Sequence, residues 1–277
     1  MECFPRGSAV PTQSPLFWVT HKDRYLRQLL IKDIQEMTGR DLIVYFTDTD
    51  RTGAQIDPGD DQYLLELLVA KKRDGVDLLL ETYGGFTDPT EKICALLRRL
   101  APDLRVVVPR RAKSNGTVIA LCASEIIMSA SSELGPIDPA WNGTPVHFLL
   151  NAPAGSFDAL TLQVATTLKA QTDKLATNLL ATGMMKGCEP NKISELVDQL
   201  ATRNRFHSHG SVLDATEASE LGLKVLNLSH TDKLWQKFWL LRTMYAYDCT
   251  RNGHAKMFEG EYVSNAVTWS PPPSSNP

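Results

Sequence analysis

VDLLLETYGGFTDPTEKICALLRRLAPDLRVVVP, residues 76–109, contains two apolar strands separated by a glycine turn and a helix. The strands are predicted at Val76–Thr82 and Leu104–Pro109, and the helix at Pro89–Ala101 begins with a proline. Strands that are apolar on both faces are typical of parallel sheets covered by helices on each side. The pattern therefore predicts an α/β fold with a mostly parallel sheet, which right-handed crossovers wind into a compact spiral or layered sheet.

The alternation of helices and strands continues on both sides of this unit. Before it, apolar spacing predicts a helix at Arg24–Met37, a strand at Asp41–Thr47 and a helix in residues 60–74. After it come a short buried helix, a strand, three helices, a strand and a Trp-rich helix, at Ser114–Ala123, Glu125–Ser129, Phe157–Leu180, Asn191–Asn204, Ala215–Leu221, Leu223–Asn227 and Asp232–Tyr247. Residues 143–156 are expected to be irregular. These elements predict a single domain spanning residues 24–250.

The two ends of the chain differ in composition from this domain. Residues 1–23 are rich in Pro, Ser and Thr without apolar periodicity, which predicts an N-terminal arm outside the core. Residues 251–277 turn polar and end in SPPPSSNP. Their low apolar content predicts a C-terminal tail that does not pack.

Composition excludes several classes of protein. With 277 residues, 43% of them apolar, the chain can bury a substantial core. A formal net charge of -3 gives no positive field for nucleic acid or an anionic membrane. Five widely spaced cysteines form no CxxC pair and no zinc-ligand cluster. Without a signal peptide or an apolar run of about 20 residues, we expect a soluble cytoplasmic protein with no membrane span, metal or cofactor.

Three places that could carry chemistry follow predicted strands, where open parallel sheets hold their sites. Gly84-Gly85 would let backbone amides approach a ligand, although a plain turn explains them equally well. Ser114, in the segment 113–117, stands at the first turn of an apolar helix, where the helix dipole stabilises negative charge; it could instead be an ordinary N-cap. Asp138 lies in SSELGPIDP, residues 131–139, where Asp-Pro is also a common turn opener.

Taken in order, three segments resemble the Clp protease/crotonase superfamily, and most closely the serine dehydrogenase proteinase family, relatives of signal peptide peptidase A. They are LLLETYGGFTDPTEKICALLRRL, RAKSNGTVIALCASEIIMSASSELGPIDP and HGSVLDATEASELGL. The resemblance implies a spiral of ββα units with peripheral helices. It also implies Ser114 as nucleophile, Asp138 as acid and His209 as base, with the N–H groups of Gly85 and Asn115 as oxyanion donors.

The identity of the base stays open at this stage. His207 is two residues from His209, and in an extended segment both would face the same side. Some relatives use a Ser-Lys dyad, for which Lys169 and Lys174 on the predicted long helix are candidates. Lys113 is set aside because it adjoins Ser114 in sequence.

Two residues depart from the family pattern. Tyr83 stands where proline commonly precedes the glycines, and it would narrow the cleft. Asn115 replaces the usual small residue after the serine, so its side chain would either add a donor to the oxyanion hole or crowd the substrate. Activity or substrate choice could therefore differ from that of the relatives.

The resemblance implies a soluble serine endopeptidase that cleaves peptides or proteins through an acyl-enzyme on Ser114. The alternatives are a crotonase-like acyl-CoA enzyme and a catalytically silent scaffold in which Ser114 is only a helix cap. Such folds usually assemble into homo-oligomers, and the predicted helix at Phe157–Leu180 or the one at Asp232–Tyr247 is the expected contact surface. The apolar faces of both helices would also suit a buried core.

Overall fold

The structure of the chain, a computed structural model, describes residues 14–270. Its helices are α1 to α10 in chain order, at Pro15–Thr20, Lys22–Thr38, Asp60–Ala70, Thr87–Leu100, Asn115–Ala120, Val146–Leu150, Ala159–Thr182, Pro190–Ala201, Ala215–Glu220 and Lys233–Asn252. Its strands are β1 to β11 in chain order, at Asp41–Thr47, Gly75–Glu81, Asp103–Val107, Arg111–Ala112, Glu125–Met128, Glu133–Leu134, Ala140–Trp141, Thr144–Pro145, Val225–Asn227, His254–Glu259 and Ser264–Thr268.

The main sheet has seven strands in the order β11-β10-β1-β2-β3-β5-β9. The five strands from β1 to β9 run parallel, and β10 and β11 are antiparallel additions at one edge. All seven residues of β1 are buried, as expected of a strand covered on both faces. The predicted α/β class with a mostly parallel sheet is confirmed.

A second, shorter layer of pairing follows three strands of the main sheet. Thr82, just after β2, forms a bridge with Ala112 in β4, the short strand that follows β3. Strand β4 in turn pairs with β6, the short strand that follows β5. Helices α4 and α5 come after the first two of these strand pairs. The repeated ββα unit thus winds as a spiral, and it brings the loops after β2, β3 and β5 to the same edge of the sheet.

Each face of the main sheet has its own core. On one face the strands pack against α3, α4, α5, α7, α8 and α9. On the other face they pack against α2 and α10, whose Ile31, Ile34 and Phe238 are fully buried. Helix α6 lies against α7 in a smaller cluster that contains Val146, Leu149 and Ala165.

The prediction that residues 251–277 form a C-terminal tail that does not pack is wrong for most of this segment. Strand β10 pairs with the central strand β1, and β11 pairs with β10. The polar composition led to the wrong prediction, because two of its charged residues are buried and pair with residues that are distant in sequence. Lys256 contacts Asp60 at 2.8 Å, and Glu259 contacts Arg27 at 2.7 Å. Residues 271–277 lie outside the described part.

The predicted N-terminal arm, residues 1–23, is wrong for its last ten residues. Residues 15–20 form α1, and Ser14 caps this helix by accepting the Phe17 N–H. The Trp18 ring is buried against Tyr25 of α2, with ring centroids 4.3 Å apart. Residues 1–13 of this arm lie outside the described part. The expectation of irregular structure in residues 143–156 is also corrected, because α6 lies within it.

In residues 14–270, no helix combines the length and the apolar character needed to cross a bilayer. The four cysteines of this part are free thiols, at Cys94, Cys122, Cys188 and Cys249.

Candidate active site

Ser114 lies between β4 and α5 with a backbone conformation that L-residues rarely adopt. Its φ is 53° and its ψ is -123°, and its side chain makes no capping hydrogen bond to the helix. Within residues 14–270, only Asn142 shares a positive φ among non-glycine residues. A conformation of this kind costs on the order of 1–3 kcal/mol and clusters at functional sites. The N-cap interpretation of Ser114 is therefore wrong, and the half-buried hydroxyl is left available for chemistry.

Positions 84 and 85 require glycine because other parts of the chain approach their backbone closely on two sides. A Cβ on Gly84 would lie 2.7 Å from Ser114 Cβ, and a Cβ on Gly85 would lie 2.3 Å from the Ile56 carbonyl oxygen. The glycine pair is thus wedged between Ser114 and Ile56, where no side chain fits. This backbone approach goes beyond what a plain turn requires.

Two backbone amides beside Ser114 are free to bind an anion. Within residues 14–270, the N–H groups of Gly85 and Asn115 have no acceptor. The Gly84 carbonyl accepts the Ile56 N–H at 2.8 Å. Because C=O and N–H point in opposite directions across a trans peptide, the Gly85 N–H faces away from Ile56. Asn115 N–H is at the N-terminus of α5, where the first amides have no partner within the helix.

The Asn115 side chain has a role that the sequence did not indicate. Its Nδ2 donates to the Gly85 carbonyl at 2.6 Å and to Thr87 Oγ1 at 3.3 Å. The amide is therefore already engaged with the glycine segment and is not a spare donor for a substrate oxygen.

Asp138 and His209, 71 residues apart in sequence, are in contact. His209 Nδ1 lies 2.8 Å from Asp138 Oδ1. The Asp138 carboxylate is buried, and its Oδ2 lies 2.7 Å from Arg203 Nε. With Nδ1 donating to Asp138, His209 would carry its free lone pair on Nε2, the atom that acts as a base. The His209 side chain is 45% exposed, so this nitrogen can be reached by a ligand.

Lys113 ties the His209 loop to the segment that carries Ser114. Its Nζ donates to the carbonyls of Ser211 at 2.9 Å and Gly210 at 3.5 Å, and it pairs with Glu133 at 3.1 Å. Burial lowers the pKa of the Lys113 ammonium, and the Glu133 carboxylate acts in the opposite direction. Sequence reasoning set Lys113 aside, and no local pattern marks it, because two of its acceptors lie almost 100 residues away.

A backbone bridge supports the same loop. Leu134 and Leu213 exchange two backbone hydrogen bonds, of 2.9 and 3.1 Å. The loop after β5, which leads to Asp138, is thereby joined to the end of the His209 segment. The bridge and the Lys113 contacts thus connect the segments that carry Ser114, Asp138 and His209.

None of the other candidate bases makes a hydrogen bond to Asp138 in residues 14–270. His207 is exposed, and its Nδ1 lies 3.2 Å from the Arg203 carbonyl. Residues 207–210 form bends and a turn, so the extended segment that would place His207 and His209 on the same side is not observed. Lys169 pairs with Asp173 on α7 at 2.5 Å, and Lys174 is exposed on the same helix.

A cavity of about 590 Å³ near the end of β5 is separate from these residues, whereas a smaller one adjoins the glycines. The smaller cavity, about 320 Å³, is lined by residues 49–55 and 83–85. Tyr83 is half exposed at its wall and packs on the Arg111 guanidinium. In the described part of the chain, no group of three or more His, Cys, Asp or Glu side chains could hold a metal ion.

Residues 56–248 match a family described as ClpP-like SDH-type serine proteinase, and this match covers more than half of the chain. The chain belongs to this family. Membership confirms the resemblance drawn from the sequence and supports a serine peptidase in general. Ser114, the Gly84-Gly85 pair and Asp138 all lie within the matched residues.

Two uncharacterized proteins of Methanocaldococcus jannaschii are similar in sequence. One is 31% identical over 60% of this chain and 58% of its own length, and the other is 36% identical over 28% of this chain and 26% of its own length. The chain thus spans little more than half of the longer match.

Two solved structures of proteases are also similar to this chain. ClpP1 from Listeria monocytogenes has a TM-score of 0.44 and 15% identity, covering 73% of this chain and 96% of its own. A mutant of the 1510-N membrane-bound stomatin-specific protease has a TM-score of 0.43 and 19% identity, covering 66% of this chain and 79% of its own.

Proposed function

We propose that this protein hydrolyses peptide bonds through an acyl-enzyme on Ser114, with His209 as general base and Asp138 as the residue that orients it. One observation carries the proposal: the 2.8 Å contact between His209 and the buried Asp138. The His209 loop also accepts a hydrogen bond from Lys113, the residue before Ser114. Nucleophile, base and orienting acid are the three parts that activate a serine.

Each step of the reaction has a named group. Ser114 Oγ attacks the carbonyl carbon of the substrate while His209 Nε2 takes the hydroxyl proton. The negative oxygen of the tetrahedral intermediate is bound by the N–H groups of Gly85 and Asn115. His209 then donates its proton to the leaving amine, and the C–N bond breaks. Water, deprotonated by the same imidazole, hydrolyses the ester and restores the serine hydroxyl.

Asp138 and the helix supply the electrostatic support. The carboxylate fixes the Nδ1–H tautomer of His209 and stabilises the imidazolium that forms. The Arg203 guanidinium lies 2.7 Å from the second carboxylate oxygen and compensates its charge. The N-terminus of α5 adds a favourable field for the oxyanion, although this helix is only six residues long.

The proposed substrate is a peptide or protein segment that crosses the glycine pair. The cavity beside Gly84 and Gly85 offers room for a side chain next to the reacting carbonyl. Exposed Tyr83 and Phe86 border the glycines on either side and offer apolar contacts. The chemistry assigned to the side chains requires no metal or nucleotide.

Labelling with a fluorophosphonate tests the proposal. We expect the wild-type protein to be labelled, Ser114→Ala to be unlabelled, and His209→Ala and Asp138→Asn to react about 10²–10⁴-fold more slowly. His207→Ala is the matched control, because His207 is an exposed imidazole two residues away with no contact to Asp138. It should react at the wild-type rate.

Two results would contradict the proposal. If the folded wild-type protein stays unlabelled, it has no activated serine. Coenzyme A binding would then be measured to test the acyl-CoA alternative. Retained labelling of His209→Ala with loss in Lys169→Ala would point to the Ser-Lys dyad. A thermal melt of every variant separates loss of chemistry from loss of folding.

Assembly into a homo-oligomer is part of the same proposal. Helix α7 exposes Leu160 near its start, and α10 exposes Trp239, Leu240 and Tyr247. Exposed apolar side chains of this kind are typical of surfaces covered by another subunit. Native mass measured by light scattering tests this part, and a monomer at micromolar concentration would contradict it.

A further inference from the structure

The Gly84-Gly85 segment needs external support to present its amide in one direction. Gly84 has a φ of 103°, outside the range of ordinary side chains, and glycine has more conformational freedom than any other residue. A flexible amide gives little stabilisation to an oxyanion, because catalysis depends on donors that are already oriented. The surrounding contacts must therefore hold this segment.

Two neighbours hold the two peptide groups of the segment. Ile56 donates its N–H to the Gly84 carbonyl at 2.8 Å and accepts the Phe86 N–H at 3.0 Å. Asn115 Nδ2 donates to the Gly85 carbonyl at 2.6 Å. The peptide group between Gly85 and Phe86 is thus held at its N–H end by Ile56 and at its carbonyl end by Asn115.

Asn115 is connected to both halves of the oxyanion site. Its own backbone N–H is one of the two free donors, and its side chain holds the glycine that supplies the other. A small residue at position 115 would keep the backbone donor but could not reach the Gly85 carbonyl. The side chain therefore sets the relative position of the two donors, and it is not available to bind substrate.

We propose that the Asn115 side chain is a positioning residue that clamps the Gly85 carbonyl and so holds the two oxyanion donors in register. The role of the clamp in the reaction rests on the proposed function. The effect of the clamp on the backbone at Gly85 can be measured without any catalytic turnover.

The first experiment compares fluorophosphonate labelling kinetics of wild type, Asn115→Ala and Thr87→Val. We expect Asn115→Ala to lower the maximal labelling rate about 10–100-fold, because a displaced donor costs less than an absent one. The probe concentration at half-maximal rate should stay within about twofold, since the clamp orients donors and does not bind the probe. Thr87→Val is the matched control: it removes only the longer contact of the same amide and should react within about twofold of wild type.

The second experiment measures amide hydrogen exchange in residues 82–88. Phe86 N–H belongs to the peptide group whose carbonyl Asn115 holds, so its exchange should be faster in Asn115→Ala and unchanged in Thr87→Val. If Asn115→Ala does not fold, Asn115→Asp replaces it. It has the same size, lacks the N–H donor and places a favourable negative charge at the start of α5, so the same two losses are expected.

The outcomes separate the clamp from the proposed function. Wild-type labelling and exchange rates in Asn115→Ala would overturn the clamp while leaving the acyl-enzyme intact. Faster labelling in Asn115→Ala would also overturn it, because the side chain would then be crowding the site. If wild-type protein is not labelled at all, the proposed function fails, and exchange decides the clamp: faster exchange supports it and unchanged exchange overturns it.

Discussion

At the scale of single residues, the backbone of Ser114 makes a prediction about stability. Because its side chain caps nothing, Ser114→Ala should change the free energy of unfolding by less than about 0.5 kcal/mol. Ser114→Gly should be about 1 kcal/mol more stable than Ser114→Ala, since glycine adopts a φ of 53° without strain. Urea unfolding of the two variants measures the difference. A loss of about 1 kcal/mol in Ser114→Ala alone would restore the N-cap interpretation.

The candidate site residues that could be predicted are those that have a recognisable local sequence pattern. Ser114 at a helix start, the paired glycines and Asp138 each follow a strand, so their common edge could be inferred before the structure. The family resemblance identified His209. Lys113 and Arg203 could not be found this way, because their partners are distant in sequence and a lysine or arginine has no local signature of burial. The contact between Asn115 and Gly85 also depends on the tertiary structure, because the two residues are 30 positions apart in sequence.

At the scale of elements, β10 makes the stability of the protein depend on pH. His254 opens this strand, and burial lowers its pKa below the ordinary 6.5, with Arg27 acting in the same direction and Asp248 against it. The unfolded chain therefore binds the proton more readily than the folded one, and stability falls as the pH drops through 6.5 towards the folded pKa. Below that pKa the loss contributed by His254 is complete.

Replacing His254 by Gln should remove this part of the pH dependence. Relative to His254→Gln, the wild-type protein should lose stability between about pH 7.5 and pH 5. Denaturant unfolding at the two pH values gives the comparison. The same pH dependence in both proteins would show that His254 does not contribute.

Predicted elements and observed elements agree best where apolar periodicity is strong. Strand β1 has the predicted bounds, and α2 extends the predicted helix by only a few residues at its N-terminus. Strand β10 was missed because charged residues interrupt its apolar pattern, and β11 was missed because it is short and mostly polar. Lys256 and Glu259 are buried in β10 only because Asp60 and Arg27 compensate their charges. No local scale of hydrophobicity contains that information.

At the scale of the whole molecule, strand β10 contacts the loop that holds the glycine pair. Lys256 contacts Asp57 at 2.7 Å and Asp60 at 2.8 Å, and Asp57 adjoins Ile56, which holds the glycine pair. Burial raises the pKa of Asp60, and Lys256 opposes this effect. The Lys256 ammonium therefore compensates the charge of the buried Asp60 carboxylate and also pairs with the partly exposed Asp57.

Lys256→Met should destabilise the fold by about 3 kcal/mol, because it leaves a buried carboxylate without its cation. At temperatures where the variant stays folded, fluorophosphonate labelling should also slow, since the loop that holds Gly84 loosens. Lys233→Met, an exposed lysine on α10, is the control and should change neither property. Wild-type labelling in folded Lys256→Met would mean that β10 is not coupled to the site.

The central claim is that one serine of this chain is activated, and that it is Ser114. The most direct measurement is peptide mapping by mass spectrometry of the folded wild-type protein after reaction with a fluorophosphonate at neutral pH. The account predicts one label per chain, on the peptide that contains Ser114, and the same label in His207→Ala. A label on a different serine, or none on the folded protein, would contradict it.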